Sequence, residues 1–178
     1  MADDSTTVEL DLSELRVVTA YAVACARPAL EIFERDRPDD PRPRAAIDAA
    51  QAFADGGRRT KAIRDCAWAA QRAAQETRDA GQAAASDAAR AALAAASAAF
   101  LHPLAKATQV KHILGSAAHA ARAFELAAGD PAVGAEHIAQ SRNLADPVVV
   151  DVLRRYPAAP GGGGRVGELM RRLDASLR

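Results

Sequence analysis

Apolar and small residues recur along this chain at helical spacing, i, i+3, i+4, i+7, and hardly anywhere at strand spacing. Leu15, Val18, Ala22 and Cys25 share one face of a first predicted helix. It opens on Asp11 and Glu14, a D-x-x-E start in which a cap and its acidic partner satisfy free amides. Pro28 is expected to kink or break it ahead of Leu30 and Phe33. The stretch RPDDPRPR (37–44) predicts a rigid loop, with Pro41 or Pro43 suited to a first helical turn and Asp40 a candidate cap. A short helix through Ile47 and Phe53 then ends at Gly56 and Gly57.

From residue 60 to about residue 80, Ile63, Cys66, Ala67, Ala70 and Ala74 form the next buried stripe, and Gly81 is a natural stop. Residues 82–101 are nearly all alanine, with Leu93 and Phe100 as the bulky packers. His102-Pro103 interrupts the pattern. A further helix runs to Ala128 and stops at Gly129, and Pro131 opens a shorter one that contains His137. Asp146-Pro147 pairs a cap with a first-turn proline, so Val148, Val149 and Val150 are expected in a helix rather than a strand. PAAPGGGG (157–164) reads as a flexible Pro/Gly linker, and Val166, Leu169, Leu173 and Leu177 mark a terminal amphipathic helix. The expected fold is all-α: a compact irregular bundle of about seven or eight helices with short loops. Residues 1–10 are expected to form a flexible acidic tail, and residues 11–178 a single helical domain.

Composition sharpens this picture. About a quarter of the residues are Ala, the best helix former, while β-branched and aromatic residues are scarce. Two origins fit the alanine excess: a GC-rich genome, which also explains Arg dominating over Lys and Asn143 standing alone, or selection for close helix packing. Basic and acidic residues balance at 23 each, without the basic stripe of a nucleic-acid binder. No apolar run approaches the roughly 20 residues that span a bilayer. MADDSTTVELD is acidic and polar, unlike a secretory signal. Cys25 and Cys66 have no metal or redox spacing and read as reduced thiols, so a cytoplasmic protein is expected.

The chemistry-bearing residues are few. In TQVKHILGSAAHAARAF (108–124), Val110, Ile113, Leu114, Ala117, Ala121 and Phe124 form one face, and His112 and His119 fall opposite. That second face is built of small residues, so His119 is expected inside the domain or in a groove, with His112 nearer the surface. The spacing i, i+7 separates the histidines by roughly 10 Å along the axis, too far for one ion with bonds of about 2 Å. No metal and no cofactor are expected. Lys61, Lys106 and Lys111 are the only lysines. GGRRTK (56–61) sets cations at a helix start, where amides can hold an anion or merely end a turn. Gly162, Gly164 and Gly167 match G-x-G-x-x-G, but no strand precedes them, and no Walker loop or G-x-S-x-G elbow exists. Trp68 lies off the buried stripe, beside Lys61, Asp65 and Arg72, as an interface residue or a filler between thin helices.

Four stretches carry a family resemblance: LRVVTAYAVACA (15–26), RPDDPRPRAAIDAAQAFADGGRRTKAIRDCAWAAQRAA (37–74), HPLAKATQVKHILGSAAHAARAFELAAGD (102–130) and VVVDVLRRYPAAPGGGGRVGELMRRLD (148–174). They resemble the actinobacterial, immunity-five-like group of immunity proteins from polymorphic toxin systems. The resemblance implies a cytoplasmic all-α protein that binds and neutralises a cognate toxin. It carries over no active site. A second class stays open: a small-molecule binder or enzyme whose interhelical groove holds Lys111, His112 and His119 with the Arg42/Arg44 loop. The candidate binding residues are therefore Asp39, Arg42, Arg44, Arg58, Arg59, Lys61, Trp68, Lys111, His112 and His119. The expected partner is a protein toxin or a second copy of the chain, with neither nucleic acid nor membrane.

Overall fold

The computed structural model describes residues 6–178, and what is said below concerns those residues. They form nine α-helices and no strand: α1 (Leu12–Ala26), α2 (Leu30–Asp36), α3 (Arg42–Ala54), α4 (Lys61–Asp79), α5 (Ala83–Ala98), α6 (Val110–Ala128), α7 (Pro131–Leu144), α8 (Pro147–Arg154) and α9 (Gly164–Leu177). The helix ends follow local chemistry. The Asp11 carboxylate accepts from the Glu14 amide and the Glu14 carboxylate from the Asp11 amide, a complete capping box. Pro28 deforms the chain into a 3-10 turn (Arg27–Ala29) rather than stopping it, so α1 and α2 follow without a reversal. Asp130 and Asp146 each accept an amide hydrogen bond two residues on, ahead of Pro131 and Pro147.

α5 is the axle. It packs against α1, α2, α3, α4 and α6. Its inward positions are Ala85, Ala88, Ala89, Ala91, Ala92, Ala95, Ala96 and Ala98, all essentially without solvent contact. Only side chains this small let so many helices approach one rod, because interaxial distance is set by the residues at the contact. Close packing thus accounts for the alanine of this element. Leu93 and Phe100, expected as the bulky packers of this stretch, are half-buried and packed against the core. Bulk in the core comes from neighbouring helices: Phe33, Ile47, Phe53, Ile113, Leu114, Leu153, Leu169 and Leu173.

Two segments expected to be flexible make defined hydrogen bonds. Residues 6–10 are not a free tail: the Val8 amide donates to the Pro103 carbonyl at 2.7 Å, the Ala105 amide donates to the Thr6 carbonyl at 2.9 Å, and Arg155 donates to the Glu9 carbonyl. The remainder of the expected tail, residues 1–5, lies outside the described residues. Residues 157–164 are not a slack linker either. Arg178 donates to the carbonyls of Tyr156 and Pro157, Arg171 to those of Pro160 and Gly162, and the Ala159 amide donates to Asp174. Backbone groups that a loop would leave to water are satisfied by α9.

The G-x-G-x-x-G pattern finds its reason here. A Cβ on Gly167 would overlap the Gly162 carbonyl oxygen and come within 3.1 Å of Arg171 Nη1. The glycine lets the connector fold back onto α9, a packing role. Further along the same contact, Glu125 of α6 is buried and accepts from Arg165 of α9 and from Arg122. α7 lies against this carboxylate at Gly134, where a Cβ would overlap Glu125 Cγ.

Candidate functional site

Lys111, Gly115, His119 and Arg122 recur along one face of α6 at intervals of three or four residues. The outward face of α5 runs alongside with Asp87, Arg90, Leu93, Ala94 and Ser97. The connector and Val166, Gly167 and Met170 of α9 close the far side. Between these three walls lies a cavity of about 600 Å³, lined by Arg78, Asp87, Arg90, Lys111, His119, Arg122 and residues 160–163 among others. It continues past Ser97, Lys111, His112 and Gly115. A second recess, about 340 Å³, follows there, formed by Arg64, Trp68, Gln71, Leu93, Phe100 and His112. One end of the groove is therefore cationic and the other is aromatic.

At the cationic end, His119 Nδ1 lies 2.8 Å from an Asp87 carboxylate oxygen. A carboxylate only accepts, so Nδ1–H donates and Nε2 is the ring nitrogen left for other partners. The His119 side chain keeps 23% of its surface exposed. At the aromatic end Trp68 is 60% exposed. The Arg64 guanidinium sits 4.7 Å from the centre of the Phe100 ring, and that of Arg59 at 5.7 Å.

The expected contrast between the histidines does not hold: both are half-buried. An interval of seven residues brings them to the same face, and α5 packs beside that face. Burial pushes His112 down to about 4, with Lys111 adding to the shift and a hydrogen bond to the Ser97 backbone opposing it. His137, buried against Phe124, is lowered for the same reason. The sign follows directly. Between pH 6.5 and about 4 the unfolded chain takes up protons that the folded His112 refuses, so stability is intact above that window and is lost as pH falls through it. We expect a melting temperature that declines across this window, and a His112→Gln variant that recovers on the order of 2 kcal/mol of the loss. Parallel melting-temperature curves for the two proteins would remove His112 as the cause.

The other candidates fare differently. Arg42 holds both Asp40 and Glu76, Arg44 makes a two-pronged pair with Glu34, and Lys61 pairs with Asp65 one turn on. Arg59 donates to the Ala99 carbonyl. Asp39 and Arg58 are exposed. The structure brings Trp68, Lys111, His112 and His119 into the groove and leaves the Pro-rich loop and the GGRRTK turn outside its lining. Sequence reasoning missed Asp87, Arg90 and Arg122. The first two carried a signal: with Ser86 and Ser97 they are the only polar residues of α5. Among the described residues, no three His, Cys, Asp or Glu side chains gather as metal ligands, and no helix is long and apolar enough to cross a membrane.

Fold and groove together define a class: an all-helical protein built on an alanine axle, with an open interhelical groove that is cationic at one end and aromatic at the other. A family model described as Imm-5 like putative immunity protein matches residues 9–147, and the chain belongs to that family. The match takes in the α4, α5 and α6 walls of the groove, while the α9 wall lies beyond it. No curated protein and no solved structure matches the chain.

Proposed function

We propose that this chain protects its producer by binding and neutralising a cognate protein toxin, with the aromatic end of the groove as the anchor of the interface. The observation that carries this reading is Trp68. It is a large aromatic left 60% exposed on a rigid helix, beside Phe100, Leu93 and Arg64. Interface energy concentrates on such residues, Trp and Arg above all, when they sit in packable recesses. Rigid presentation on α4 lowers the ordering cost of association. Membership in an immunity family supports the same reading. The Pro-rich loop is the weaker docking face, because Arg42 and Arg44 already hold carboxylates of this chain.

The test is co-expression with candidate toxins encoded beside this chain's reading frame. The wild-type chain restores growth and forms a complex with the purified toxin. Trp68→Ala binds about 30-fold more weakly, or worse, while melting at the wild-type temperature. Full rescue by Trp68→Ala would move the interface elsewhere, and absence of any complex would reject the function.

A further inference from the structure

The cationic end of the groove calls for its own ligand. Four permanent cations, Arg78, Arg90, Lys111 and Arg122, line it against a single carboxylate, Asp87. That carboxylate is engaged by His119. Arg122 leans on Glu125, and Arg78 reaches Asp79 only at 3.7 Å. Arg90 and Lys111 have no carboxylate within 4.0 Å among the described residues. Cations gathered around one recess repel each other, and a chain whose charges balance overall has no general excess to explain the gathering.

We propose that this end of the groove binds a phosphorylated small molecule of about mononucleotide size. Three walls surround the recess, and its volume of about 600 Å³ falls inside the range of small-molecule sites. Arg supplies a flat fork of donors that fits phosphate oxygens two at a time, and Lys supplies a compact charge. Arg90 from α5 and Lys111 from α6 meet the phosphate from two elements. His119, its ring held in place by Asp87, adds a third contact through Nε2–H in the imidazolium form, in which both ring nitrogens donate. The bare backbone of residues 161–163 lets the anion approach the connector closely. Leu126 of α6 with Val166 and Met170 of α9 gives the ligand's non-phosphate part an apolar bed. The site is distinct from the Trp68 recess, so a ligand here and a toxin there do not need the same residues.

Two probes test this on the full chain at low salt: inorganic pyrophosphate for the anion, and phenyl phosphate for the anion with an apolar group. Calorimetric titration and thermal melting read both. Saturable binding with a rise in melting temperature is expected for both, and inorganic phosphate, added as a reference without the apolar group, binds more weakly than phenyl phosphate. Lys111→Ala and Arg90→Ala each weaken pyrophosphate about tenfold. The Lys111 side chain is exposed and makes no hydrogen bond among the described residues, so its removal leaves the fold intact and keeps the test valid should Arg90→Ala melt early. Arg142→Ala, an exposed cation on α7, binds as wild type. Equal weakening by Arg142→Ala, or no response to either probe, would overturn the site. Saturation by an oligoglutamate peptide without any response to pyrophosphate would reassign the groove to an acidic protein segment and overturn it too.

Discussion

Glu125→Ala is expected to melt roughly 10 °C below the wild-type protein, a loss of about 3 kcal/mol. Glu125 is 3% exposed, and its carboxylate is the joint at which α6 meets α9. Burial alone would push its carboxyl up; the guanidiniums of Arg165 and Arg122 outweigh burial and hold it below the usual carboxylate range. Truncation removes the shared acceptor and opens a hole beside Gly134. The two arginines are about a third exposed and can turn to water, which keeps the loss at the lower end for a broken buried pair. Because the folded carboxyl is depressed, this contribution is complete at neutral pH and disappears as pH falls through the carboxylate range. Glu125→Gln keeps the volume and forfeits the charge, so it should fall between the two. Hydrogen exchange should quicken in α9 first. A Glu125→Ala protein that melts within about 1 °C of wild type would show that α9 is held by its leucines alone.

Gly167→Ala should lose a similar amount, about 3 kcal/mol, for a steric reason. The added Cβ would overlap the Gly162 carbonyl oxygen, and both partners are backbone, so no side chain can swing aside. Either α9 or the connector must move. Movement of the connector breaks the Arg171 bonds to Pro160 and Gly162. On an exposed helix face the same exchange of Gly for Ala would stabilise by about 1 kcal/mol, so the sign of the effect decides the matter. A Gly167→Ala protein that melts above wild type would mean the connector does not pack as described.

Most helix ends were legible because they are local. Asp11 with Glu14, Pro131 at its helix start and Asp146 with Pro147 each act over three residues or fewer, and each does what its spacing predicts. The groove was legible only in part. Lys111, His112 and His119 lie on one helix, so periodicity gave their face but not what covers it. Asp87 lies 32 residues before His119 in the chain, and the two meet only because α5 and α6 pack side by side. A helix made of alanine has no stripe to announce which side turns inward. Arg42 and Arg44 misled for a related reason: their carboxylate partners Glu76 and Glu34 sit on other helices, and a charge that looks free in one dimension is paired in three.

The alanine axle has one more consequence. Because the inner face of α5 contributes backbone proximity instead of shape, its outer face can be rewritten with little effect on how the bundle packs. Changing Arg90 or Ser97 alters the groove without disturbing the alanines behind it. If the groove is the recognition surface proposed above, stability and recognition reside on opposite sides of a single helix, and one scaffold can be retuned to a new target by a handful of surface changes.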